Sequence, residues 1–318
     1  MKYKIIAALI AIVIVSGCSG MPDLPNIPGV NLGSKTSITS GRALEITSFT
    51  AEPSSIFSGA NVRVSMEVEN QGDASVPDSQ SLVYLTGSNF DDWSGTHFYH
   101  FNKMMKSADA VRGMPAETKK FTWSLTAPSI EAGQKRKDTF IGRVYQDYKS
   151  TANGNIWIYS EFEANAAKAS GKQLYTPSFT YSKGPVCLGL SFSPEPIVLY
   201  DSEKTFMMYI KVNNLASGTI YYPGSVKYQI GSENIEVDPM QMNWVTVSVE
   251  PSSGLGVNGC EGDRELTLGE ATMACEVTVN RAPETLESYA LEVIVDYGYF
   301  TERTASVTVE GRQTIEPT

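Results

Sequence analysis

Apolar and polar residues alternate over many short stretches of this chain. Val62, Val64, Met66 and Val68 occupy every second position of "NVRVSMEVEN", and Phe206, Met208, Ile210 and Val212 do the same in "TFMMYIKVNN". A period of two places the apolar side chains on one face, so each stretch predicts a half-buried strand. Turn residues rich in Gly, Pro and Asn separate the stretches at short intervals, which predicts an all-β chain of sandwich type. One segment reads differently. In "SEFEANAAKASGKQ", residues 160–173, Ser160 and Glu163 make a capping box, the interior is Ala-rich and Gly171 suits the position just past a helix end. Phe162, Ala166 and Ala169 share one face of that helix, which is expected to lie on a sandwich edge or a domain junction.

The pattern occurs twice. "LEITSFTAEPSSIFSGANVRVSMEVENQG" from Leu44 and "LGLSFSPEPIVLYDSEKTFMMYIKVNNLASG" from Leu188 both give a short strand, a Pro-containing kink, an alternating strand and an Asn before a Gly-containing turn. Asn70 and Asn214 fall at matching places. The ends of the repeats also match: "VYQDYKSTANGNIWIYS" and "VIVDYGYFTERTASVTV" each give a strand with Asp-Tyr, a turn and a last strand. Asn153-Gly154 is a strong hairpin signal in the first, and "TER", residues 301–303, is the expected turn of the second. The recurrence of Asp147 and Asp296 implies a shared structural role near those turns. The expected organisation is therefore two tandem β-sandwich domains, 44–159 and 185–312, joined by a short helix and linker, 160–184, with a tail at 313–318. "VRVSMEVENQG" and "FMMYIKVNNLASG" resemble the immunoglobulin-like domains of archaea and bacteria grouped with CARDB, a cell-adhesion-related module. That resemblance implies an immunoglobulin-like sandwich in each half and a role in binding or adhesion at the cell surface.

The N-terminus breaks the strand pattern. Lys2 and Lys4 precede a continuous apolar run, Ile5 to Val15. A spanning helix needs roughly 20 apolar residues, so the run is too short and reads as a signal peptide, residues 1–17. "Val15-Ser16-Gly17-Cys18" resembles the lipobox of prokaryotic lipoproteins, and the resemblance implies a diacylglycerol thioether on Cys18 after cleavage. A thiol is the side chain nucleophilic enough near neutral pH to accept that lipid. Residues 18–43 then form a flexible tether rich in Pro, Gly and Ser, with a root-mean-square reach of roughly 25 to 30 Å.

Export implies an oxidising compartment. Four cysteines occur, Cys18, Cys187, Cys260 and Cys275. With Cys18 lipidated, Cys260 and Cys275 are expected to pair, because they are close in sequence and flank a loop and a returning strand. Cys187 is then left as a buried free thiol. The cysteine spacings and the lack of a nearby histidine speak against zinc.

Charge narrows the class of partner. Residues 19–182 hold 15 Lys and Arg against 16 Asp and Glu, whereas residues 183–318 hold 8 against 19. Nucleic-acid binding demands a basic footprint, so no nucleic-acid partner is expected. The cluster "KRK" at 135–137 reads as a solvated turn. Candidate sites concentrate in "NFDDWSGTHFYHFNK", which holds both histidines of the chain. His97, His100 and Asp91 are the candidate metal ligands, although a separation of three residues puts two strand side chains on opposite faces. Phe90, Trp93, Phe98 and Tyr99 are the candidate partner-binding residues of an aromatic loop over 88–105. Phosphate-loop, zinc-protease, nucleophile-elbow and calcium-loop motifs are missing. The expected function is that of a non-catalytic, lipid-anchored surface protein. It would need no cofactor beyond the lipid on Cys18, and would meet the membrane through that anchor and a protein or glycan through its domains. The alternatives are an accessory module or hydrolase with a site near His97 and His100, and a subunit of a surface filament or layer.

Overall fold

The structure is a computed structural model that describes residues 43–312 except 73–74, 77–80, 102, 110–111, 201–202, 229–234 and 238. The expected signal peptide, Cys18, the expected tether up to residue 42 and the expected tail at 313–318 lie outside the described residues. In chain order the first half gives strands β1 (Leu44–Glu52), β2 (Ser55–Phe57), β3 (Asn61–Asn70), β4 (Ser81–Gly87), β5 (Phe98–His100), β6 (Thr118–Thr126) and β7 (Lys135–Ser160). Helix α1 (Glu161–Ala169) follows, then β8 (Ser178–Tyr181), β9 (Val186–Ser193), β10 (Ile197–Leu199), β11 (Thr205–Asn214), β12 (Thr219–Tyr221), β13 (Val226–Tyr228) and β14 (Ile235–Val237). The last strands are β15 (Trp244–Pro251), β16 (Leu255–Asn258), β17 (Gly262–Glu265), β18 (Glu270–Val279) and β19 (Leu286–Glu310). The described residues are all-β apart from α1 and short 3-10 turns.

Four sheets form among the described residues. The largest has ten strands, with β17-β15-β19-β7-β4-β5 as its main path. A three-stranded sheet, β1-β3-β6, and a four-stranded sheet, β16-β18-β11-β9, complete the layers around two hydrophobic cores, and β13 pairs with β14 apart from them. The alternation read from β3 is present, since Val62, Val64, Met66 and Val68 are all buried, as are Phe206, Met208, Ile210 and Val212 of β11. One core gathers these β3 residues with Trp123, Leu125, Phe140 and Val144. The other gathers the β11 residues with Val245, Val247, Val277 and Val293.

Two expected hairpins are replaced by continuous strands. β7 and β19 run antiparallel from Leu286 opposite Tyr159 to Glu310 opposite Lys135, without a register shift. Asn153 and Gly154 lie mid-strand, opposite Glu292 and Leu291. Gly154 serves a close approach rather than a turn: a Cβ there would lie 2.0 Å from the Ser178 carbonyl oxygen of β8. "TER" is likewise extended, and Glu302 pairs with Arg143 across the strands at 2.9 Å. The cluster 135–137 is also the start of β7 and not a turn.

Helix α1 begins where the capping box places it. Ser160 Oγ accepts from the Glu163 amide at 3.2 Å, and Gly171, at φ 70°, receives the chain after the last turn. The expected buried face is displaced, however. Ala164 packs with Tyr159 and Val198, whereas Phe162 is 76% exposed. Cys260 and Cys275 are bonded, with Cα atoms 5.1 Å apart, and both sulfurs sit in the second core. The expectation for Cys187 is corrected: it is buried and disulfide-bonded, not a free thiol. That expectation rested on subtracting Cys18 from an even number of cysteines.

Candidate functional site

The aromatic segment is built from the inside outward. A 3-10 turn, Phe90–Asp92, drops Phe90 and Trp93 into the first core, where both are buried against Phe140. Asp138 holds them there. Its carboxylate is fully buried and accepts from Trp93 Nε1 at 3.0 Å, Asn89 Nδ2 at 2.9 Å and Arg136 Nη2 at 2.9 Å. Arg136 also reaches Asp92 at 2.7 Å, and these hydrogen bonds raise its pKa although burial acts the other way. Each buried polar atom of Asp138 thus meets a donor, the condition for keeping a charge inside a protein.

This geometry corrects the site expected from the sequence. Phe90 and Trp93 are core residues and are not available to a partner, because their polar and aromatic contacts are all internal. His97 is buried too, edge-on to Phe90 at 4.6 Å between ring centroids, while Asp91 and His100 are exposed. His97 and His100 therefore do not converge with Asp91. Among the described residues no three His, Cys, Asp or Glu side chains come together as a metal-binding group. What reaches the surface is the short strand β5. Phe98 is half-buried and packs edge-on to His100 at 5.6 Å, and Tyr99, 36% exposed, lies over Phe121 and donates to the Thr122 carbonyl at 3.1 Å.

Sequence reasoning missed Asp138. The signal was available: Asp138 falls in register with the inward-facing Phe140 and Val144 of an alternating stretch. An acidic residue at an inward position must find donors or be expelled.

A second polar site lies at the waist between the two cores. A groove of about 440 Å³ is lined by Glu45, Arg143, Gly218, Phe300, Glu302 and Arg303 among others. The Arg143 guanidinium lies 5.3 Å from the Phe300 ring centroid, pairs with Glu302 and donates to the Tyr145 hydroxyl at 3.4 Å. Burial lowers its pKa, but Tyr145 and Glu302 raise it further. Close by, Asp147 accepts from the Tyr221 hydroxyl and the Gly224 amide, while burial pushes its carboxyl up. Its counterpart Asp296 instead pairs with Lys149 at 3.5 Å, so the two recurrent aspartates do not share one role. Arg143 and Asp147 are both matched by neighbouring strands, which makes the waist a polar seam that joins the layers.

No family model matches the chain, and no curated protein does. Among solved structures, the native conformation of E. coli alpha-2-macroglobulin matches at 10% identity over 85% of this chain, with a TM-score of 0.22. The Yersinia pseudotuberculosis adhesin InvE matches at 10% identity over 84% of this chain and 60% of its own, with a TM-score of 0.18. The collagen adhesin of S. aureus matches at 8% identity over 84% of this chain and 92% of its own, with a TM-score of 0.12. The chain spans 17% of the E. coli macroglobulin chain. Overlaps this slight say nothing of what the present chain binds, and its function has to be argued from its own residues.

Proposed function

We propose that this protein is an exported surface protein whose two immunoglobulin-like lobes act as a rigid binding or spacer unit without catalysis. The observation that carries the reading is the pairing of β7 with β19 along their whole length, which ties both cores to one sheet. A body of that kind holds a fixed shape. The sequence supplies the remainder: a short apolar leader, Val15-Ser16-Gly17-Cys18 and a Pro- and Gly-rich tether. Two acyl chains on the Cys18 sulfur would be enough for stable anchoring, and that lipid would leave Cys187 without a disulfide partner in this chain, since Cys260 and Cys275 are bonded to each other.

Contact with a protein or glycan is assigned to the exposed strand β5, through Phe98 and Tyr99, rather than to the four aromatic residues the sequence singles out. Phe98→Ala and Tyr99→Ala should each weaken binding of the full chain to cell-surface extracts while leaving its circular dichroism unchanged. Unaltered binding by the pair would sink this assignment. The anchor has its own test. Cys18→Ser should release the protein from the membrane fraction. A sulfur alkylated by lipid cannot also enter a disulfide, so mass spectrometry of the Cys18 peptide separates the two fates: a diacylglycerol adduct supports anchoring, and a cross-link to Cys187 refutes it.

A further inference from the structure

The register of the two long strands carries more than rigidity. Asp147-Tyr148 and Asp296-Tyr297 are equivalent positions of the two sequence repeats, and Tyr148 lies directly opposite Tyr297. Equivalent residues that face one another are the mark of a two-fold axis, about which contact i to j is repeated as j to i. The neighbouring pairs obey it: Gln146 faces Tyr299 on one side of the axis, and Ser150 faces Val295 on the other. The main path of the large sheet is symmetric about the same point, with β4 and β5 outside β7 and β15 and β17 outside β19.

The short strands after the Pro kinks obey it as well. β2, in the first repeat, pairs parallel with the end of β19 through Ile56 and Val309. β10, in the second repeat, pairs parallel with the end of β7 through Val198 and Tyr159. The cores record the same crossing. Val307 and Val309 of β19 are buried in the core of the first repeat, and Ala152, Ile156 and Ile158 of β7 are buried in the core of the second.

We infer that the two repeats exchange their last strands: residues 148–160 complete the second sandwich and residues 300–310 complete the first, as in a strand-swapped dimer joined into one chain. Each repeat ends in a strand that fails to fold back as a hairpin and runs on into its neighbour. The partner of each half is therefore the other half, and an unpaired sheet edge is what either would present alone. The inference concerns strand pairing only and stands whether or not Cys18 carries lipid.

A test uses the full chain with a protease site placed after Gly171, in the exposed stretch that follows α1. Thr139 Oγ and Ser306 Oγ lie 3.3 Å apart across β7 and β19. In the Thr139→Cys/Ser306→Cys variant a bridge between those positions should form nearly completely on oxidation. After cleavage it should hold the two pieces in one band on a non-reducing denaturing gel, with peptide mapping identifying the 139–306 link. In the chain without added cysteines, cleavage under reducing, non-denaturing conditions should leave both pieces co-eluting with native circular dichroism, and they should part only in denaturant. Two independently eluting folded pieces, or a folded double variant in which 139 and 306 never bridge, would overturn the exchange. Should the double variant not fold, the cleaved natural chain still decides the matter.

Discussion

A single buried carboxylate sets the conformation of the segment that the sequence marks as most reactive. Asp138 takes hydrogen bonds from Trp93, Asn89 and Arg136, and its side chain is withdrawn from solvent. Losing the charge of a buried carboxylate weakens the hydrogen bonds made to it, each worth roughly 1.5 to 3 kcal/mol, while Arg136 keeps its pair with Asp92 at the surface. Asp138→Asn should accordingly lower the free energy of unfolding by about 1 to 3 kcal/mol, measured from urea midpoints, and should raise hydrogen exchange in residues 88–97. An unchanged midpoint would mean that Arg136 and Trp93 find other partners. Trp93 explains why composition alone misleads here. An aromatic residue beside two aspartates looks like a surface loop, but the third acidic residue that draws it inward lies 45 positions later. Side chains whose partner is so remote in sequence cannot be placed from local pattern.

Strands and helix differ in how far their sequences declare them. The alternation in β3 and β11 and the cap of α1 are local properties, set by side-chain period and by one hydroxyl, and both are present as expected. The course of β7 and β19 is not local. Asn153-Gly154 favours a tight turn in an isolated hairpin, but 25 successive residues of β19 have partners on β7, from Leu286 opposite Tyr159 to Glu310 opposite Lys135. That ladder outweighs the preference of one dipeptide. The glycine is used by packing instead, and the same holds at Gly298, where a Cβ would lie 1.9 Å from the Tyr221 ring. The contact leaves no room for a methyl group unless Tyr221, which is itself buried and bonded to Asp147, moves. Gly298→Ala should destabilise the fold by about 1 to 3 kcal/mol, the usual cost of overpacking. Gly256→Ala, where an added Cβ meets nothing within 4 Å and the backbone is not left-handed, should lose less. Thermal melts of the two variants side by side give the comparison, and equal losses would contradict it.

At the scale of the molecule, the two cores share one central pair of strands, so neither can lose its layers without exposing the edge of the other. Chains of this length often unfold in separate steps when their domains are independent. Here urea should produce one transition, with far-ultraviolet circular dichroism and tryptophan fluorescence superimposed; two resolved steps would show that the cores part company. The point at which the chain joins this body has a mechanical consequence. Ala43 packs in the second core and Leu44 in the first, with the Leu44 carbonyl accepting from Thr301 Oγ1 and the Ala43 carbonyl from the Gln71 amide. The N-terminal segment is thus fastened at the middle of the molecule instead of at one end. A pull arriving along that segment meets both lobes at once, like a cord knotted to the centre of a crossbar, and must shear strands across their length before either lobe can be unzipped from its tip.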